Sequence, residues 1–353
     1  MLTVTQEPLP SLDALEPRWC ALADRADASF FLGWTWMGSW LRATGARPDL
    51  VSVRDGAGDE IGLALLGAAR EPRKLGRVRT LRLNESGDPL MDRPFIEYNA
   101  PLAARDHEVD VTQALAHHLA RRRDWCVLRL SGVADDNLLV GAVPARRRIL
   151  TDVSPAYGVS LAAVRGAVGD YLSLLSANTR SQIRRALRDH GDGDFGVERA
   201  ADEVMIADWL GEMARLNAGR HADNAWDAPM FRAFAREIAL AGRAAGAVDL
   251  LRVTIGGAVI GYLLNFVHGD RAMNYQSAFA EPVGPKDKPG LLTHMAAIAH
   301  YTGRGLSLYS LLAGKDRYKQ SLATGAEELQ WWQIERFSPA LEAEYWLRRL
   351  LRR

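Results

Sequence analysis

The chain has 353 residues, 48% of them apolar and 25% charged, with a net charge of +1. That composition excludes a disordered chain and allows two ordinary soluble domains. Near neutrality removes any global electrostatic pull toward nucleic acid or an anionic membrane, so a basic site has to be local. The two cysteines, Cys20 and Cys126, belong to no Cys/His cluster, which excludes a disulfide framework and a zinc site.

The first residues carry prolines and acids where a signal peptide needs a basic flank and an apolar core, so a cytoplasmic protein is expected. Residues 11–45 hold two helical patterns, the second rich in tryptophan at Trp34, Trp36 and Trp40. Residues 50–69 alternate as two strands around Asp55-Gly56-Ala57-Gly58, a hairpin signal. A third strand over 78–83, a loop with Gly87-Asp88-Pro89, a helix near 108–122 and a strand from Trp125 follow. Glu97-Tyr98-Asn99 before Pro101 reads as a structural turn, and as the place for any ligand role of this half.

The segment Pro144 to Pro155, with arginines at 146–148, marks a boundary between domains 1–150 and 151–353. Beyond it the order repeats: helices at 168–190, 202–219 and 229–245, three strands within 248–279, a helix from Pro289-Gly290 to about Gly303, and a strand at 306–312. The expected fold is α/β (α+β) and duplicated, each domain a mixed central sheet flanked by helices. The uncharged apolar runs near 254–269 and 290–303 fall short of the ~18–20 residues a membrane helix needs, so no membrane insertion is expected.

Several side chains are placed to do chemistry. Arg180, Arg184 and Arg188 recur every four residues beside an apolar stripe of Leu172, Leu175, Thr179, Ile183 and Leu187. Such a row grips a phosphate or carboxylate, or is an ordinary solvated face. Lys286 and Lys288 stand beside a helix N-terminus at Gly290, where amides and dipole favour an anion; a plain solvated loop is the other reading. His221, shortly before Trp226, is a candidate general base because imidazole titrates near neutrality. His294 and His300 are too far apart in helical phase to share a metal. Trp331-Trp332 reads as part of a terminal strand.

Five blocks together carry a resemblance: Thr179 to Ala186, Gly261-Tyr262, Tyr275 to Phe279, Pro289 to Leu292, and Gly314-Lys315-Asp316-Arg317-Tyr318-Lys319. In this order they are similar to the carboxyl-terminal domain of tandem GNAT-like acyltransferases of the Fem peptidoglycan-bridge and CelD cellulose-biosynthesis type. The resemblance implies that two central parallel strands splay apart to admit the donor. It implies acyl-CoA, acetyl-CoA foremost, as co-substrate without a metal, and an amine of a small molecule or envelope/polysaccharide precursor as acceptor. Tyr318 would protonate the leaving thiolate and Lys319 hold a phosphate; Tyr275 and Gln276 would line the cleft or pack in the core. Arg180, as part of the shared block, would bind substrate, with Arg184 and Trp226 nearby. One departure is plain: Gly284 to Gly290 lacks the Q/R-x-x-G-x-G/A turn of ordinary GNAT enzymes. Aminoacyl-tRNA as donor, or a non-catalytic scaffold in polysaccharide biosynthesis, are the alternatives.

Overall fold

A computed structural model describes residues 1–168, 170–190, 193–220 and 223–351. Contacts divide the chain into one unit of Met1–Val153 with Leu329–Arg353 and another of Ser154–Glu328.

The first unit opens with β1 (Thr3–Pro8), α1 (Leu12–Ala23) and α2 (Trp34–Thr44). The hairpin β2 (Asp49–Arg54) and β3 (Glu60–Arg73) turns where expected, with Asp55 accepting the amides of Ala57 and Asp59. β4 (Gly76–Leu83), the short β5 (Leu102–Ala103), α3 (Glu108–Arg121), β6 (Val127–Ala134) and α4 (Leu138–Ala142) complete its body. β1, β2, β3 and β4 pair antiparallel in that order, and β6 lies parallel to β4. The tryptophans explain the helical layer: Trp19 and Trp36 are fully buried, Trp19 Nε1 donates to Leu32 O, and Phe31 packs edge-on against Trp36.

β7 (Arg147–Ser160) starts in the first unit and ends in the second. The second unit continues with α5 (Leu161–Gly166), a 3-10 turn at Tyr171–Leu174, α6 (Ala177–Asp189), β8 (Phe195–Arg199), α7 (Glu203–Asn217) and α8 (Pro229–Ala244). β9 (Val248–Ile255), β10 (Ala258–His268), β11 (Arg271–Phe279), α9 (Pro289–Gly303), β12 (Leu308–Ala313) and α10 (Arg317–Leu322) follow. β13 (Gly325–Glu335) runs from this unit back into the first, where α11 (Pro339–Leu350) ends the described chain. Residues 329–353 therefore lie with the first unit, whereas the sequence placed them in a domain of 151–353.

Both units share one order: strand, two helices, three antiparallel strands, a helix, and a strand parallel to its predecessor. In each, that last strand also pairs antiparallel with a strand from elsewhere, β13 on β6 and β7 on β12. The duplication is real. The sequence missed the leading strands β1 and β8, which are short and mostly exposed or half-buried and so lack a clean alternation. The helix expected over 168–190 begins only at Ala177, because Ser176 caps it by accepting the Thr179 amide.

α9 is apolar nearly all round since it lies beneath the sheet of its unit. Leu292, Ala297, Ile298 and Tyr301 are fully buried, each leucine or isoleucine contributing about 2 kcal/mol of burial. That environment, not a bilayer, accounts for the run at 290–303; no described helix is long and apolar enough to cross a membrane.

Candidate functional site

β11 and β12 pair over three residues only, Arg271–Met273 against Leu308–Ser310. Past that point β11 stays on β10 as far as Phe279, while β12 stays with β7 at Ala313. The two parallel strands therefore part, and the cause is local. Between Ser310 and Ala313 the register slips; Leu312 sits at φ 57, and its amide donates to Ser310 Oγ. A bulge with a buried leucine in the left-handed region bends the strand and stores strain of the kind found at working sites. On the other side a second bulge between Leu264 and Asn265 leaves Tyr275 without a counterpart on β10.

The edge of β11 past Met273 is organised by side chains. Asn217 Nδ2 donates to Ser277 O, and Arg220 Nη2 donates to Phe279 O. Ser277 Oγ bonds Asn274 Oδ1, Asn274 Nδ2 donates to Asn265 Oδ1, and Asn265 Nδ2 donates to the Tyr301 hydroxyl. Tyr301 in turn donates to Asp249, which is fully buried and faces Arg304 and Arg199. A buried carboxylate thus anchors a chain of amides that fixes the strand edge.

Beneath the parting strands lies His294 of α9, fully buried. Its Nδ1 shares a hydrogen bond of 2.9 Å with the Tyr309 hydroxyl, while Nε2 finds no partner among the described residues. Burial, with Lys319 nearby, lowers its pKa to about 3, so the ring is neutral at any physiological pH. Tyr318 stacks on it, centroids 5.7 Å apart and planes 19° from parallel. Burial, with Asp316 nearby, pushes the Tyr318 hydroxyl above the usual tyrosine range and keeps its proton on.

Tyr318 and Lys288 line one cavity of about 740 Å³ with Ser176, Thr179, Gln182 and Arg317. Here the N-termini of α6 and α9 approach α10. Among the described residues no side chain caps α9, and its first residues, Pro289 and Gly290, leave the terminus open to an anion. Gly290 packs closely: a Cβ there would stand 3.1 Å from the Phe279 ring, which would have to give by a few tenths of an ångström. The preceding loop is held by Asp287, whose carboxylate pairs with His190 at 2.9 Å and accepts the Val283 amide. Lys288 Nζ donates to Pro285 O, and Lys286 is exposed.

The remaining sequence candidates fall elsewhere. Arg180 turns back to donate to Leu175 O at 2.7 Å, so it braces the 3-10 turn; Arg184 and Arg188 are exposed. Lys319 Nζ donates to Ala313 O at the end of β12. Trp226 and Gln276 are brought together by a 3.1 Å bond from Nε1 to Oε1. Tyr275 stacks on Phe266 and on Phe231 of α8, on the face of the sheet away from α9, so it and Tyr318 lie on opposite faces. His221 lies outside the described residues. His294, Asp287, His190 and the Leu312 bulge were not assigned a site role from sequence, because each matters through partners distant along the chain.

The first unit closes the equivalent space. β4 and β6 pair only over Thr80–Arg82 against Val127–Arg129, and the segment 84–101 then fills the opening. Asn99 donates its amide to Gly132 O of β6, while Asn84 Nδ2 donates to Asn99 Oδ1 and Ala100 O. Gly132, at φ 62, lets that segment approach; a Cβ would meet Ile96 O at 2.6 Å. Tyr98 and Asn99 do line a separate cavity of about 400 Å³.

Residues 177–320 match the family described as Acetyltransferase (GNAT) domain, and the parted strands lie inside that stretch. That stretch is similar to a GNAT acetyltransferase domain, and on this match the chain is read as an acyltransferase. FemX has a similar structure, with TM-score 0.59 at 10% identity over 96% of this chain and 99% of that one. So does the carboxyl-terminal domain of a putative lysylphosphatidylglycerol synthetase from Agrobacterium fabrum, with TM-score 0.55 at 10% identity over 95% of each chain. The structure of L-PGS from Bacillus licheniformis gives 0.53 at 9% identity over 98% of each. At such identities the likeness is one of fold, extending across both units. No curated protein matches the sequence.

Proposed function

We propose that the second unit transfers an acyl group, acetyl foremost, from acyl-CoA to an amine of a small molecule or cell-envelope precursor by direct attack. The parting of β11 from β12 after Met273 and Ser310 carries this reading, since it leaves a strand edge against which a thioester arm can lie. The open N-terminus of α9, with Lys288 and Arg317 in the same cavity, suits the donor's phosphates. In the transfer the amine nitrogen bonds the acyl carbon and the carbon–sulfur bond breaks. Tyr318 gives its proton to the departing thiolate and regains one from solvent; the ammonium proton leaves to solvent. Burial suits Tyr318 to this task by keeping it protonated. His294 positions the Tyr318 ring and, being neutral, places no charge beside it. Among the described residues no group is set up as a covalent nucleophile, and placement supplies most of the rate. Cytoplasmic location follows from this donor.

The test is binding of acetyl-CoA to the full chain by calorimetry, followed by thiol release over a panel of amines. Saturable binding and amine-dependent release support the proposal; no binding overturns it.

A second reading, an aminoacyl-tRNA donor, draws support from the exposed Arg184, Arg185 and Arg188 on α6 and the fold shared with FemX. It requires tRNA binding that weakens steeply with salt and with loss of these arginines.

A further inference from the structure

α11 packs into its unit by one narrow side. Leu341 and Glu344 are buried, and Arg348 bonds Glu344 from the same side. Each helical residue turns about 100° from the last, so Trp346, Leu350, Leu347 and Leu351 occupy an arc of about 140° on the other side. That arc is solvent-exposed: Trp346 at 53%, Leu350 at 67% and Leu351 at 70%. A single exposed leucine needs no explanation, but a tryptophan and three leucines in one arc do.

Past Tyr345 the charge has one sign. Residues 345–353 contain Arg348, Arg349, Arg352 and Arg353 and no acid. Both acids of the helix are ion-paired, Glu342 at the edge of the arc with Arg146 and Arg147, Glu344 inward with Arg73 and Arg348. Arg349 lies at the border of the arc, its guanidinium 5.5 Å from the Trp346 ring.

We propose that α11 is an interfacial helix that seats the protein on an anionic lipid surface, with Trp346, Leu347, Leu350 and Leu351 in the headgroup boundary and Arg349 on lipid phosphates. A leucine-rich arc with a tryptophan, bordered by arginine, is what a bilayer surface rewards. A second copy of the chain is the poorer occupant, because a two-fold interface sets the same arginines against themselves. This placement does not depend on the donor assigned to the second unit.

The test is flotation of the full chain with vesicles of phosphatidylglycerol and phosphatidylcholine in equal parts, against phosphatidylcholine alone. Binding should favour the anionic vesicles and fall with salt. Arg349→Gln should weaken it about fivefold, and Trp346→Ser with Leu350→Ser by tenfold or more. Both variants change exposed side chains outside the transfer site, so unaltered far-UV spectra and thermal midpoints accompany the loss. The proposal is overturned if neither vesicle binds, if the serine variant binds as well as the wild type, or if the chain is a dimer that this variant splits.

Discussion

Replacing Tyr318 by Phe removes one hydroxyl and leaves the ring on His294, so it isolates the proton that the transfer is held to use. The stack, worth about 0.5–1.5 kcal/mol, survives. Ser321 bonds the Tyr318 backbone carbonyl, which the change does not touch. Stability should therefore fall by less than about 1 kcal/mol, read as a thermal midpoint. A positioned general acid contributes about 10²–10⁴ in rate, and a thiolate leaves readily enough that the lower half applies. The expected outcome is a kcat about 10²–10³ lower, or about 3–4 kcal/mol in the barrier, with KM for acetyl-CoA within about threefold. Because burial raises the Tyr318 pKa, its loss of the proton should not depress wild-type kcat until beyond the ordinary tyrosine range near pH 10. Continuous thiol release over pH 6 to 10 measures all of this. A Phe variant within threefold of wild-type kcat across that range refutes the acid role.

Asp287→Ala leaves His190 and the Val283 amide without their carboxylate, so it should cost about 1–3 kcal/mol of stability. It should raise KM for acetyl-CoA about tenfold with little change in kcat, since only the donor loop loosens. His294→Phe keeps the stack but strips the Tyr309 hydroxyl of its partner; a loss of about 1–2 kcal/mol with kcat near wild type is expected, whereas His294→Ala should lower kcat as well. In the first unit, burial raises the Glu85 pKa to about 7, though Ser131 and Arg82 oppose the shift. The folded protein then holds a proton that the unfolded chain has released, so stability falls as pH rises from about 4.5 to 7 by at most about 3 kcal/mol. Glu85→Gln should flatten that slope, and thermal midpoints across the range will show whether it does.

Much of the fold was legible because its signals are local. The Asp55–Gly58 turn, the Trp-rich α2, the three strands of 248–279 and Pro289 opening α9 are each written in a few adjacent residues. Duplication was legible from element order alone. The return of β13 to pair with β6 was not, because a strand's partner is set by register with distant chain and not by its own pattern. At the site, Tyr318 and Lys288 line one cavity. Arg180 could not be placed by spacing, since its target is the carbonyl of Leu175 five residues back, freed by a 3-10 turn that helical periodicity hides. The parting of β11 and β12 rests on a leucine in the left-handed region, for which sequence offers no sign.

The most direct test is a crystal structure of the full chain with a non-hydrolysable acetyl-CoA analogue. The account predicts the pantetheine arm between β11 and β12 beyond Met273 and Ser310, with its sulfur within hydrogen-bond reach of the Tyr318 hydroxyl and its phosphates at Lys288. An analogue bound against the first unit, or one that leaves the two strands unoccupied, contradicts it.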